Sequence, residues 1–305
     1  MKVVVIGCCA LDVYVEIDQL PKLNEDVNTK DLKLSLGGMA YNVYNVLELF
    51  DSDAVLGCPV GEGRLADMVR EMLKLKGHEP LGVIKGLDNG MCLCLVDKTR
   101  ERSFISHHGA EYRFDASLFD KVDFDEVGWI YADGLEIEDV DGEKIVRFLE
   151  EKKKNVFFAP GPRCQYLDKE LMKRILALKP VLHINEREAE LIGKRNTVSD
   201  NAEAISEMTD NTVIITLGEK GTLLKEKGKP EVLIPTTKVE MVDATGAGDN
   251  HAGSVLACLS KGMDCQQAIR IANKVSGAAV MQKGADLSRE NFEKAMEACR
   301  KENIL

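Results

Sequence analysis

The stretch VDATGAGDNHAGSVLACLSKG, residues 242–262, decides how the rest of the chain is read. Gly246, Ala247 and Gly248 stand directly before Asp249, and an apolar helical run follows at 252–260. Glycine costs backbone entropy on folding, so two of them around one alanine ask for a local reason. A Gly-Ala-Gly turn that opens a helix leaves several backbone N–H groups unpaired, with only small side chains to shield them. The helix dipole adds partial positive charge at the same end, which makes a seat for an anion. An aspartate beside that seat repels an ordinary anion. The conflict disappears if the anion is a phosphoryl group in transfer, with Asp249 taking the proton of the attacking hydroxyl. The same residues also fit a glycine turn with Asp249 as a helix cap. The stretch by itself leaves both readings open.

Outward from this point, short β-branched runs alternate with amphipathic runs along the 305 residues. Strands are predicted at 3–7, 54–59, 91–96, 129–132, 156–159, 181–184, 212–216 and 231–234, and helices at 40–49, 65–76, 142–153, 169–179, 186–192, 202–208, 252–260, 265–282 and 289–301. This alternation predicts a mostly parallel sheet covered by helices. Two segments, about 12–36 and 91–107, break it with period-2 patterns such as YVEID, DLKLSL and CLCLVDKTRERSFIS. They read as strands outside the core, either a lid that keeps water from a site or a cover for a sheet edge.

The bulk numbers exclude some functions. A net charge of −11 argues against broad nucleic-acid binding, which needs a basic face. It also means that an anionic substrate must be held by local donors against the overall field. No apolar run reaches membrane-spanning length, and the opening MKVVVIG reads as a first strand rather than a signal peptide. The nine cysteines are scattered without a CxxC pair and read as reduced thiols. No second Cys/His pair has zinc-ligand spacing. These features predict a cytoplasmic protein with neither nucleic-acid nor membrane partners.

DATGAGD, residues 243–249, closely matches the C-terminal signature of the ribokinase-like, or PfkB, carbohydrate kinases. The chain resembles that family at four further places, in family order: LGGMAYNV at 36–43, NEREAE at 185–190, TLGEKG at 216–221 and MQKGA at 281–285. Five matches in order are far more specific than any one of them. The resemblance implies one kinase domain over residues 1–305, of α/β class. Its core would be three-layered and ribokinase-like, with a mostly parallel central sheet and a small β-sheet lid built from the two inserted segments. It implies transfer of the γ-phosphoryl group of ATP, with Mg²⁺, to a primary hydroxyl of a sugar or sugar-like substrate.

The resemblance also assigns roles. Asp249 would be the catalytic base, and Gly246, Ala247 and Gly248 the anion hole. Asn185 and Glu188 would organise Mg²⁺ and its waters, although by themselves they read rather as a helix cap and a solvated first-turn acid. Thr216, Gly218 and Gly221 would hold the nucleotide from one side, and Lys283, Gly284 and Ala285 from the other. Asp12, Gly37, Gly38, Asn42 and Arg163 would face the acceptor. Many relatives hold a monovalent cation with the residues that match Asp243 and Thr245, which admits K⁺ at these positions. Lid strands pair between subunits in some relatives, which admits a homodimer through the lid.

Some positions depart from the family pattern. Met39, Tyr41, Tyr44 and His251 replace residues common in relatives, and Ala159 stands where an aspartate is common. The acceptor therefore stays open between sugars, sugar acids and nucleosides. Tyr41 and Tyr44 suit stacking on a nucleoside such as pseudouridine, or packing inside a helix. Two rivals remain in view: a sugar- or nucleoside-binding sensor without turnover, and a dinucleotide-binding oxidoreductase. The second rests on Gly61-Glu-Gly63-Arg-Leu-Ala66, which resembles a dinucleotide fingerprint. Pro59 in its strand and the lack of a convincing acid ending a second strand about twenty residues on weaken it.

Overall fold

The computed structural model describes residues 1–99 and 102–305. Its strands are β1 (Lys2–Ile6), β2 (Ala10–Glu16), β3 (Asp31–Gly37), β4 (Ala54–Gly57), β5 (Met91–Val96), β6 (Arg102–His107), β7 (Val127–Asp133), β8 (Asn155–Ala159), β9 (Val181–Asn185), β10 (Val213–Thr216), β11 (Thr222–Lys225) and β12 (Val232–Ile234). Its helices are α1 (Met39–Leu49), α2 (Arg64–Leu75), α3 (Gly134–Glu138), α4 (Gly142–Lys152), α5 (Lys169–Ala177), α6 (Glu186–Gly193), α7 (Val198–Thr209), α8 (Ala247–Ser260), α9 (Cys265–Ala279) and α10 (Arg289–Lys301).

The larger sheet has the order β12-β11-β10-β9-β8-β7-β1-β4. From β4 to β10 each neighbouring pair is parallel. β11 and β12 extend the sheet antiparallel. β1 explains the layers. Val3 and Val5 bury on one face, in a cluster with Val43 of α1, Val255 of α8 and Ile271 of α9. Val4 and Ile6 bury on the other, with Ile145 and Leu149 of α4 and Ile205 of α7. A strand apolar at successive positions needs cover on both faces, which is why this sheet sits between two helical layers.

The smaller sheet has the order β3-β2-β5-β6. β2 pairs antiparallel with β3 and parallel with β5, and β5 pairs antiparallel with β6. Its outer strands keep apolar side chains in solvent: Leu32 and Leu34 on β3, Phe104 and Ile105 on β6. This is the expected lid. Residues 100 and 101 of the 91–107 segment lie outside the described residues. The lid meets the core where β3 ends at Gly37 and α1 begins at Met39.

Some elements differ from the expected ones, and α3 is among those the pattern does not announce. Helix α8 begins at Ala247, five residues ahead of the predicted start at 252. The glycines were read as loop, yet Ala247, Gly248 and Asp249 already form the first helical turn. β11 was not predicted, because four residues between Gly221 and a charged turn carry too little periodicity. Among the described residues no helix is long and apolar enough to cross a membrane.

Candidate active site

The mouth of α8 is built by close packing rather than by a cap. Gly246 precedes the helix with φ of 70°, and no side chain caps the mouth. A Cβ on Gly246 would lie 2.5 Å from the Cβ of Ala285. Only glycine meets both the backbone and the space demand. Asn250 Nδ2 donates to the carbonyls of Gly246 (2.7 Å) and Ala285 (3.0 Å), which locks the mouth to the 281–285 stretch. Gly248 has open space where a side chain would stand. No side chain covers this end at Gly248, while the Ala247 amide donates to the Ala244 carbonyl at 3.2 Å.

Asp249 is the third residue of α8, and it does not cap the helix. Its Oδ2 instead accepts a hydrogen bond from Asn42 Nδ2 at 2.8 Å. Burial pushes its carboxyl up to about 6, against the opposing pull of the Asn42 hydrogen bond. Asp12 on β2 stands close by, raised to about 7 by burial and then by the charge of Asp249. The side-chain Oδ1 of Asn42 is buried and has no partner among the described residues. Gly37 leaves the space that the Asp12 carboxyl fills, and Gly38, at φ 98°, lets the start of α1 approach the Cys8 carbonyl. Five residues that sequence reading assigned to two different roles thus meet in one place: Asp12, Gly37, Gly38, Asn42 and Asp249.

Arg163 is engaged elsewhere. Both its Nε and its Nη2 donate to Glu138, and its guanidinium lies 5.0 Å from the Tyr166 ring centroid. Its loop still borders the cluster, since a Cβ on Gly161 would stand 2.7 Å from Met39 Sδ. Sequence reading passed over Asp133, at the end of β7, and Glu136 in α3. Both are buried, and Asp133 Oδ2 and both Glu136 oxygens meet no donor among the described residues. Burial, and then the charge of Glu136, hold the Asp133 carboxyl well above its ordinary range, with a smaller push from Asp249. The one signal in the sequence was an acid at the end of a parallel strand, where ligands collect.

Asn185 and Glu188 form a reciprocal capping box at the start of α6. The Glu188 amide donates to Asn185 Oδ1 (2.9 Å), and the Asn185 amide donates to Glu188 Oε2 (3.1 Å). Asn185 Nδ2 also donates to Glu188 Oε1 at 2.7 Å. The cap is therefore real, but Glu188 is not a solvated acid: it is buried. Burial raises its carboxyl, and so does the charge of Asp249. Oxygen donors of this kind, an amide and a carboxylate close to a second carboxylate, fit a magnesium ion that keeps most of its waters.

A cavity of about 440 Å³ opens on the other side of the helix mouth, within the size range of small-molecule sites. Thr216, Gly218, Gly221, Ala247, Gly248 and His251 are among its lining. Gly218 and Gly221 take φ of 59° and 101°, conformations that favour glycine. Its floor carries a polar chain that no motif announced. His251 Nδ1 lies 2.8 Å from His183 Nε2, and His251 Nε2 lies 3.1 Å from both Thr222 Oγ1 and Asn273 Oδ1. Burial lowers His251 to about 4, so the ring is neutral at ordinary pH. Ser276 Oγ donates to the Ala247 carbonyl at 3.0 Å and ties α9 to the mouth. The cavity's volume and glycine edges fit a nucleotide.

Lys283 and Gly284 do not line this cavity. Lys283 Nζ stands 3.7 Å from Glu16 of the lid, and the Gly284 amide donates to Asp243 Oδ2 at 2.9 Å. Asp243 Oδ1 accepts the Thr245 amide at 2.7 Å and is paired with the Arg102 guanidinium of β6. Tyr41 and Tyr44 are core residues of α1, and Tyr44 packs edge-on against His78. Neither ring is free to stack on a base. The glycines at 61 and 63 have an internal partner: the Asp88 carboxylate accepts the amides of Leu65 (3.3 Å) and Ala66 (2.8 Å) at the start of α2. The end that a dinucleotide phosphate would need is filled by the chain's own acid.

Residues 1–291 match the family described as pfkB family carbohydrate kinase. A curated relative, an uncharacterized sugar kinase of Escherichia coli K12 called YegV, is 29% identical over 93% of this chain and 90% of its own length. The crystal structure of a ribokinase from Thermotoga maritima superposes with a TM-score of 0.80 at 25% identity, covering 97% of this chain and 98% of that one. The Arabidopsis thaliana ribokinase complexed with ribose and ATP has a TM-score of 0.79 at 19% identity, covering 97% and 98%. At that identity the likeness is one of fold.

Proposed function

The chain belongs to the pfkB family of carbohydrate kinases, and on that premise we propose that it transfers the γ-phosphoryl group of ATP to a primary hydroxyl of a sugar or sugar-like acceptor. One observation carries the reading. Asp249 sits in the first turn of α8 with Asn42 and Asp12 on one side, while the adjoining Ala247 and Gly248 border the nucleotide-sized cavity on the other. A single carboxylate thus separates a hydroxyl-binding cluster from a phosphate seat.

The balance of the step follows. The acceptor oxygen forms a bond to the γ-phosphorus, the bond from that phosphorus to the bridging oxygen breaks, and ADP leaves with the electron pair. Asp249 accepts the proton that the acceptor loses. The mouth formed by Gly246, Ala247 and Gly248 would face the charge on the transferring oxygens, the Ala247 amide giving up its bond to the Ala244 carbonyl (3.2 Å) to do so. Asp12 and Asn42 orient the acceptor. Burial raises both carboxyls, Asp249 to about 6 and Asp12, beside the charge of Asp249, to about 7. Magnesium, when bound, would be held through its waters by Asn185 and Glu188 and would neutralise phosphate charge. Thr216, Gly218 and Gly221 would border the nucleotide.

The test is a screen of ADP release with ATP and magnesium over sugars, sugar acids and nucleosides, with the product identified by phosphorus NMR. Turnover of at least one sugar, with the phosphate on a primary hydroxyl, is the expected result. Tight binding of a sugar without any phosphorylated product would replace the kinase reading with that of a sensor.

A further inference from the structure

The surroundings of Asp243 do not fit the monovalent cation that relatives hold there. Asp243 is 2% exposed, so its charge must be met by protein groups. Its Oδ1 takes the Thr245 amide and the Arg102 guanidinium, and its Oδ2 takes the Gly284 amide. Two amides and one full positive charge already use most of the carboxylate's lone pairs. A metal cation on the same oxygens would stand against a guanidinium in a largely buried place, where the repulsion is weakly screened.

Arg102 is well placed to hold that position. It begins β6, the outer strand of the lid, and its side chain is about one-fifth exposed. Its Nε is buried with no acceptor among the described residues, while its Nη2 donates to Asp243. Tyr14 of β2 lies beside the pair and feels the charges of both partners. Burial by itself would raise Asp243, yet the Gly284 and Thr245 amides together with Arg102 outweigh it and hold the carboxyl below its ordinary value. Asp243 in turn holds the amide of Thr245, the residue before the Gly246 mouth. A guanidinium is always charged and binds carboxylates directionally, which suits a permanent internal counter-ion.

We propose that Arg102 replaces the monovalent cation of relatives, so that the lid itself supplies the charge that holds the 243–248 loop in place, and added K⁺ has no role. Arg102 is a positioning residue here, since it reaches the anion seat only through Asp243. The turnover part of the test rests on the kinase reading; the melting part does not.

The experiment compares KCl with tetramethylammonium chloride at equal ionic strength, for the parent chain, Arg102→Ala and Arg102→Lys. The parent is expected to melt at the same temperature and turn over at the same rate in both salts. Arg102→Ala should lose at least about tenfold in turnover in tetramethylammonium, because its loop is no longer held in register. KCl should raise its melting temperature and restore much of that loss, as a cation enters the vacated place. Arg102→Lys should stay nearer the parent in both salts, which separates loss of charge from loss of packing. The proposal falls if KCl raises the parent's melting temperature or rate over tetramethylammonium. It falls equally if Arg102→Ala keeps full turnover without K⁺, or loses turnover that K⁺ does not restore. If no acceptor is ever phosphorylated, the melting comparison alone decides.

Discussion

Asp249→Asn should make the protein more stable as it makes it inactive. Burial holds the Asp249 carboxyl at about 6, against an ordinary value of 3.8. The fold therefore opposes its ionisation by about 3 kcal/mol at most. The sign is the reverse of the usual acid case. Below about pH 4 the group is protonated in both the folded and unfolded chain and costs nothing. As pH rises toward about 6, the unfolded chain ionises freely while the folded one resists, so stability is lost across that window and stays lost above it. An asparagine carries no charge at any pH, and its side-chain oxygen can still accept the Asn42 hydrogen bond. The variant should then melt several degrees above its parent at pH 8, with about 2–3 kcal/mol greater stability in denaturant, and match it near pH 4. ADP release should meanwhile fall by roughly 10²–10⁴-fold, the usual contribution of a general base. Denaturant titrations at the two pH values beside a coupled assay of ADP would check both halves. A folded variant that is no more stable than its parent at pH 8 would refute the burial argument, and near-normal turnover would refute the assignment of the base.

The parent's kcat/KM should rise with pH through an apparent pKa near 6, well above an ordinary aspartate; an acid limb near 4 would show that Asp249 ionises freely. Glu188→Gln should keep the capping box, since glutamine serves at that position, and leave the melting temperature close to the parent's. Its magnesium requirement should nevertheless rise by about 10–100-fold; a large loss of stability with unchanged magnesium dependence would assign Glu188 to the cap alone. Gly246→Ala should destabilise by about 1–3 kcal/mol from positive φ alone, with more from the clash against Ala285. A melting temperature equal to the parent's would mean that the mouth relaxes without cost.

Much was legible in the residues because it depends on near neighbours. The βα alternation, the two-sided burial of VVVI and the period-2 lid strands are local patterns, and they place the elements and the layers. The glycines of GAGD and LGG mark backbone that side chains would obstruct, so they mark where a ligand or another segment comes close. That Asn185 could cap a helix was equally readable, because the box closes within four residues.

The rest was decided by contacts between residues far apart in sequence, which no local pattern encodes. Asn42 meets Asp249 across 207 residues, and Arg102 meets Asp243 across 141. A pKa near 6 for one aspartate, and the occupation of another by a guanidinium, follow from what the fold places beside each carboxyl and how far it excludes water. The sequence by itself determined which groups this protein has for chemistry. Only the tertiary structure decided which of them face each other, because the energy of a charge depends on its neighbours and its solvent rather than on its place in the chain.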